Sequence, residues 1–257
     1  MQNKSGFTLA EVLITLGIIG VVAAMTIPTL MTNTTASQFK TAYKKSLSSL
    51  KQGITMNVAM DDFDLRDLKD SKTKANAKNA KSFASIIAKR FEGATDITAT
   101  YFDAKNANDG TGIMTIVGDH TCTAEDVEAY AAGTEGALAC EEEGDVISNA
   151  AIDYTINKTD FLVYQMADGT AFGFNTQAAN CTSATQENCV GFIDTNGVAG
   201  PNRVNVCDNA TFDKGTTCLV SNEKIADIFP VKFYNQTVEP GSTAAKSILM
   251  GFKANKK

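Results

Sequence analysis

Residues 4–31 read KSGFTLAEVLITLGIIGVVAAMTIPTLM, and this stretch decides how the rest of the chain can be arranged. From Val12 to Met31 it contains no charged residue, and the next charge along the chain is Lys40. About twenty apolar residues in a helix span the ~30 Å hydrocarbon core of a bilayer. Because Lys4 precedes the run, we expect the N-terminus to stay in the cytoplasm and the C-terminal bulk to be exported.

Glu11 lies at the start of this apolar run, where a carboxylate is costly and therefore indicates a function. A secretory signal peptide that ends at Ala24, or a plain transmembrane anchor, gains nothing from such a group. Cleavage between Gly6 and Phe7 would instead create an α-ammonium group one helical turn from Glu11. Pairing the Glu11 carboxylate with the Phe7 amine of a neighbouring helix would neutralise both charges and fix the register between subunits.

The segment KSGFTLAEVL, residues 4–13, resembles the N-terminus of the type IV pilin and type II secretion pseudopilin superfamily. The resemblance implies that a prepilin peptidase cuts after Gly6, that the new N-terminal Phe7 is methylated, and that Glu11 guides assembly. Pro28 resembles a helix-kinking proline of the same family. The implied partners are other copies of the chain and other pilins in a filament, the prepilin peptidase, and the inner-membrane assembly machinery.

Beyond the apolar run, one face of a predicted amphipathic helix carries large apolar residues every three or four positions. This stripe consists of Phe39, Tyr43, Leu47, Leu50, Ile54 and Val58. The whole helix is predicted from about Phe7 to about Met60, interrupted at Pro28. We divide the chain into a leader (residues 1–6), a transmembrane or filament-core helix (7–31), its amphipathic continuation (32–60) and a globular head (61–257).

The head carries both helix and strand patterns. Residues 82–91 predict a short helix with one apolar side. Alternating residues predict a strand at 151–157 and a hairpin at 161–174 that turns at Asp168-Gly169, and residues 190–193 add a further strand. Three antiparallel strands packed on the amphipathic half-helix give an α+β fold with a disulfide-bonded C-terminal region. The pilin resemblance implies the same architecture.

Charge restricts the classes of partner. The formal net charge is −6 and the pI is near 4.9, which argues against nucleic acid as a partner. Residues 106–157 contain no Lys or Arg. Such a run favours a solvated acidic face or a disordered loop, and a cation-binding or partner-facing patch is the alternative.

The six cysteines all lie in the C-terminal part of the chain. An even number confined to one region, without CxxC spacing, predicts disulfides in an oxidising compartment. Six cysteines allow 15 connectivities, and we prefer pairing between neighbours because short loops close most easily. The preferred pairs are Cys122 with Cys140, Cys181 with Cys189, and Cys207 with Cys218.

Few residues suggest a metal or a reaction. Asp194 and Asn196 lie on a glycine turn, and oxygen ligands of this kind suit calcium, which some pseudopilins bind in their C-terminal loops. A purely structural Asx turn is the alternative that we favour. His120 is the single histidine, and the chain has no G-x-S-x-G motif, so we predict no enzyme activity and no cofactor, with calcium left open.

These features together predict a structural subunit of a type IV pilus or a type II secretion pseudopilus. The helix would hold the subunit in a bacterial inner membrane before assembly and in a periplasmic or cell-surface filament afterwards. The large, cysteine-rich head favours a minor or specialised pilin. The alternative is an exported monomeric binding protein or enzyme whose signal peptide ends at Ala24, so that the mature chain starts at Met25.

Overall fold

The structure is a computed structural model, and it describes residues 8–70, 81–105, 114–134, 140–144, 146–183, 188–207, 211–212, 220 and 225–250. The helices are α1 (Leu9–Asp61), a 3₁₀ turn (Leu65–Asp67), α2 (Phe83–Arg90), α3 (Thr98–Ala104), α4 (Ala124–Ala131) and α5 (Thr243–Met250). The strands are β1 (Thr95–Asp96), β2 (Met114–Thr121), β3 (Val146–Ile156), β4 (Phe161–Gln165), β5 (Ala171–Asn175), β6 (Val190–Asp194), β7 (Thr211–Phe212), β8 (Ile228–Tyr234) and β9 (Thr237–Pro240). The fold is α+β, as predicted.

The long helix α1 contains 53 residues and continues through Pro28. The predicted interruption at Pro28 is therefore wrong. A proline removes one N–H group from the hydrogen-bond ladder, and the turns on either side still carry the helix. The observed ends, Leu9 and Asp61, lie close to the predicted ones. Asp62 follows in the left-handed conformation, with φ of 48°, and ends the helix.

The second half of α1 packs its predicted apolar stripe into the head. Tyr43, Leu47, Leu50 and Ile54 are at most 3% exposed, whereas Phe39 and Val58, at the two ends of the stripe, are half-buried. Burial of a large apolar side chain contributes roughly 1.5–3 kcal/mol, so this face of the helix holds the head in place. The sheet partners of the stripe include Phe229, whose ring stacks on Tyr43 at a centroid distance of 4.4 Å.

The sheet behind α1 has six antiparallel strands in the order β1-β4-β5-β6-β8-β9. The three predicted strands, β4, β5 and β6, are adjacent in it, and the hairpin turns at the predicted Asp168-Gly169. The short helix α2 confirms the prediction for residues 82–91 and inserts Phe83 between α1 and the sheet. The ring of Phe83 lies 4.5–5.6 Å from three sheet rings, those of Phe172, Phe174 and Phe233.

Two glycines permit close approaches that the core requires. A Cβ atom on Gly53 of α1 would lie 2.4 Å from the Phe91 ring, and one on Gly173 of β5 would lie 2.1 Å from the Phe192 ring. Distances this short require the neighbouring ring to move, and packed interiors have little room for that. Gly53 therefore lets α1 approach Phe91 at the end of α2, and Gly173 makes room for the Phe192 ring, which belongs to the core cluster around Tyr101 and not to the one that contains the stripe of α1.

A second, three-stranded sheet has the order β2-β3-β7. Its strands β2 and β3 lie within residues 106–157, the lysine- and arginine-free segment for which a solvated acidic face or a disordered loop was predicted. The prediction of a disordered loop is therefore wrong for the described part of this segment. The antiparallel pairing of β2 with β3 supplies the backbone hydrogen bonds that a loop would lack. The acidic character survives on α4, where Glu125 and Glu128 are exposed.

Candidate functional site

The helix α1 begins with a capping box formed by Thr8 and Glu11. The Thr8 hydroxyl accepts a hydrogen bond from the Glu11 backbone N–H (3.3 Å). In return, Glu11 Oε2 accepts from the Thr8 backbone N–H (2.9 Å) and from the Thr8 hydroxyl (2.7 Å). This reciprocal arrangement satisfies N–H groups that a helix end otherwise leaves without partners. The capping box uses Glu11 Oε2, and among the described residues no hydrogen bond reaches Glu11 Oε1.

The sequence predicts a role for Glu11 in assembly, and its role in the cap was not predicted. The signal was present, because Thr8-Leu9-Ala10-Glu11 fits the T-x-x-E pattern of a capping box that precedes an apolar run. Gly6 and Phe7 lie outside the described residues. Cleavage between them, methylation of Phe7 and its pairing with Glu11 therefore stay predictions, and so does the role of Pro28 in assembly.

The first half of α1 has no core to bury it. Every described large apolar side chain from Leu9 to Met31 is at least 44% exposed. Among the described helices, α1 alone is long and apolar enough to cross a membrane. An apolar surface of this extent on a folded chain indicates a partner that covers it, either lipid or other helices.

Two hydroxyl groups on this half of α1, those of Thr15 and Thr26, are satisfied within the helix itself. Thr15 donates to the carbonyl of Val12 (3.0 Å), and Thr26 donates to the carbonyl of Val22 (2.9 Å). Such bonds remove the cost of placing a hydroxyl group in an apolar environment. The threonines are thus compatible with burial in lipid or in a bundle of helices.

The turn that follows β6, residues 194–202, contains both predicted calcium ligands. Asp194 Oδ1 accepts a hydrogen bond from the Asn196 backbone N–H (3.2 Å), which is the Asx turn that the sequence favoured. The Asn196 side-chain amide donates to the carbonyl of Gly200. Asn196 Oδ1 is buried and makes no hydrogen bond to a described residue. The described residues contain no group of three or more His, Cys, Asp or Glu side chains placed to hold a metal.

Tyr101 of α3 and Lys105, which follows the last residue of α3, both contact the carboxylate of Asp194. Neither contact was predicted from the sequence. The Tyr101 hydroxyl donates to Asp194 Oδ2 (2.8 Å), and the Lys105 ammonium lies 3.3 Å from that oxygen. The Lys105 side chain is 1% exposed and Asp194 is fully buried. Burial raises the pKa of Asp194 to about 6, although Lys105 and Tyr101 both act to lower it. No sequence pattern links a lysine to an aspartate so far along the chain.

Asp227 holds the far end of the same turn and was also missed. It is fully buried, and its two carboxylate oxygens accept from the backbone N–H groups of Asn202 (2.8 Å) and Arg203 (2.7 Å). Its backbone carbonyl accepts from the N–H of Thr195 (2.9 Å). Because one residue bonds both ends of the turn, the conformation of the turn is set by the strand that begins at Ile228.

The cysteines confirm two of the three preferred pairs. Cys122 is bonded to Cys140, and Cys181 is bonded to Cys189. Cys207 is also disulfide-bonded, and the third preferred pair lies outside the described residues because Cys218 does. No free cysteine occurs in the part of the chain that the structure describes. Disulfides of this kind persist in oxidising compartments, which agrees with export of the head.

Comparison with known families identifies the N-terminal segment. Residues 1–27 match the prokaryotic N-terminal methylation motif, which is the signature of type IV pilins and pseudopilins. The matched segment includes Gly6, Phe7 and Glu11 and the first part of the apolar run of α1. No curated protein and no solved structure matches the chain significantly.

Proposed function

We propose that the chain is a structural subunit of a type IV pilus or a type II secretion pseudopilus, and not an enzyme. The observation that carries the proposal is the methylation motif at residues 1–27, which overlaps the start of a helix whose first half is bare and whose second half is packed into a head. A membrane can cover the bare half before assembly, and the same halves of neighbouring subunits can cover one another in a filament.

Assembly follows from the chemistry of the helix N-terminus. After cleavage behind Gly6, the Phe7 amine of one subunit would meet the Glu11 carboxylate of the next. Glu11 Oε1 is the oxygen that the capping box leaves available for this contact. At an effective dielectric of 20, an ion pair at 4 Å is worth roughly 4 kcal/mol, which is enough to select one register among the many that an apolar helix would allow.

The head favours a specialised or minor pilin over a minimal filament-forming subunit. Beyond the six-stranded sheet that packs on α1, it carries a second sheet, the acidic helix α4 and the disulfide between Cys122 and Cys140. These elements are not needed to bury the stripe of α1. They are available for contacts with a surface or a partner outside the filament core.

The test is the intact mass and N-terminal sequence of the mature protein purified from bacterial membranes. We expect the chain to start at an N-methylated Phe7. A chain that starts at Met25 would overturn the proposal, because it would have lost the bare half of α1 and could not form a helical filament core. The head would then be an exported monomeric domain released from a signal peptide that ends at Ala24.

A further inference from the structure

The proposed function does not use Lys105, yet the side chain of this residue is almost completely buried. It is 1% exposed and lies at the C-terminus of α3, next to the 194–202 turn. Lysine is almost never fully buried unless it is paired, because an ammonium group loses a large hydration energy in the interior. Its position therefore has to be explained by the groups that surround it.

Three oxygens surround the Lys105 ammonium. It donates hydrogen bonds to two of them and forms an ion pair with the third. They are Asp194 Oδ2 (3.3 Å), the carbonyl oxygen of Ala199 (3.0 Å) and Asn202 Oδ1. The Tyr101 ring covers the ammonium at 5.0 Å from its centroid. Carboxylate, carbonyl and amide oxygens form the kind of ligand set that binds hard metal ions.

We propose that the Lys105 ammonium is the resident cation of the 194–202 turn and occupies the position beside Asp194 that a calcium ion would need. A metal ion at Asp194 does not fit while Lys105 is present, because both cations would lie against the same carboxylate oxygen. One positive charge faces the one carboxylate among these three oxygens, and the second buried carboxylate at the turn, Asp227, is held by the backbone N–H groups of Asn202 and Arg203. The head then folds independently of divalent metals. This inference does not rest on the proposed function, because it concerns the head alone.

The proposal predicts that the wild type and a variant without the ammonium group differ in stability and in their response to calcium. In Lys105→Met the Asp194 carboxylate stays buried but loses its positive partner, which is strongly destabilising. The oxygens of Asp194, Ala199 and Asn202 are then free to coordinate, and Asn196 Oδ1 lies on the same turn without a partner among the described residues. A calcium ion added to this variant would replace the missing charge.

The experiment is thermal unfolding of the full mature chain in a non-ionic detergent, with near-ultraviolet circular dichroism as the signal. It is performed without additive, with calcium chloride and with a chelator. We expect the midpoint temperature of the wild type to be unchanged by either addition. We expect Lys105→Met to unfold roughly 10 °C lower and to recover by several degrees as calcium is added. In Lys105→Met/Asp194→Asn, where both charges are removed, calcium should have no effect.

The matched control is Lys45→Met, which removes an exposed lysine paired with Asp168 at 2.9 Å. It should change the midpoint little and respond to neither calcium nor chelator. A wild-type midpoint that rises with calcium and falls with chelator would overturn the proposal, because the turn would then bind metal despite Lys105. A Lys105→Met midpoint no lower than that of Lys45→Met would also overturn it. If Lys105→Met does not fold, the response of the wild-type midpoint temperature to calcium and to chelator still tests the proposal.

Discussion

Glu11 has two tasks at the scale of a single residue, and they involve different groups. Inside the subunit, its carboxylate accepts from the backbone and the hydroxyl of Thr8 and closes the capping box. Between subunits, the proposed function pairs the same carboxylate with the Phe7 amine of a neighbour. The substitution Glu11→Ala would remove the carboxylate and so abolish both tasks together. A substitution that keeps the cap and removes the charge is needed to separate them.

Glu11→Gln makes this separation, because glutamine also serves at the third position of a capping box. We expect export and cleavage to proceed as in the wild type and incorporation into filaments to fall at least tenfold. Losing about 1.4 kcal/mol of an ion pair is sufficient for such a decrease. The measurement is the ratio of filament-bound to membrane-bound subunit by immunoblot.

Thr8→Ala is the matched control, since it removes the capping hydroxyl and leaves the carboxylate. We expect it to assemble nearly normally. Normal filament yield from Glu11→Gln, or an equal loss from Thr8→Ala, would mean that Glu11 acts through the helix cap and not through its charge.

At the scale of elements, the 3₁₀ turn after α1 ties the end of the long helix to the sheet. Asp64 is 7% exposed and accepts from the Arg66 side chain at 2.6 Å and from its backbone N–H at 2.8 Å. The neighbouring Leu65 N–H donates to the carbonyl of Asn235 (2.9 Å), in the turn between β8 and β9. Hydrogen bonds from Arg66 hold the pKa of the Asp64 carboxyl below its usual value, although burial acts in the opposite direction.

This contact predicts a pH dependence. Because the folded pKa of Asp64 is depressed below the ordinary 3.8, its contribution is present above that value and is lost as the pH falls through the folded pKa. We expect Asp64→Asn to lower the free energy of unfolding by about 1 kcal/mol at pH 7, since Arg66 is largely exposed. Denaturant titrations should show this difference shrinking below about pH 4. Asp67→Asn, an exposed site on the same turn, is the control, and an identical pH dependence there would exclude a specific role for Asp64.

Elements with a local sequence signal could be predicted, and elements without one could not. The amphipathic half of α1 and the hairpin at Asp168-Gly169 were predicted correctly because their signals are local, a period of 3.6 residues in one case and a two-residue turn in the other. Strand β8 was missed because Pro230 lies inside it, and proline usually argues against a central strand. Strand β2 was missed because its pattern is weak and its partner β3 lies beyond α4.

The candidate sites divide in the same way. Glu11 and the methylation motif could be predicted because cleavage site, helix cap and apolar run are contiguous. The pairing of Lys105 with the 194–202 turn could not, since Lys105 and Ala199 are 94 positions apart. Only the packing of α3 on the sheet brings them together. Contacts of this kind depend on the complete fold, which a local pattern cannot encode.

For the whole molecule, the decisive feature is the division of α1 into a bare half and a packed half. The described large side chains up to Met31 are exposed, whereas Ala36 is the first buried residue among those whose side chains are described, and Tyr43, Leu47 and Leu50 belong to the core. The head thus contains its own core without the first half of the helix. The bare half contributes nothing to that core, and its surface is the part of the chain that the proposed function assigns to the membrane and the filament.

This division predicts where the chain can be shortened. A chain that begins at Asn33, exported to the periplasm so that its disulfides form, should be a monomer without detergent and unfold cooperatively near the midpoint temperature of the full-length protein. A matched chain that begins at Lys51 should not unfold cooperatively. It lacks the buried side chains of Tyr43, Leu47 and Leu50, and each such loss costs roughly 2–5 kcal/mol against a typical stability of about 5–15 kcal/mol. Sedimentation velocity and calorimetry measure both outcomes. Aggregation of the longer chain would show that the head needs the bare half, and cooperative unfolding of the shorter one would show that the stripe is dispensable.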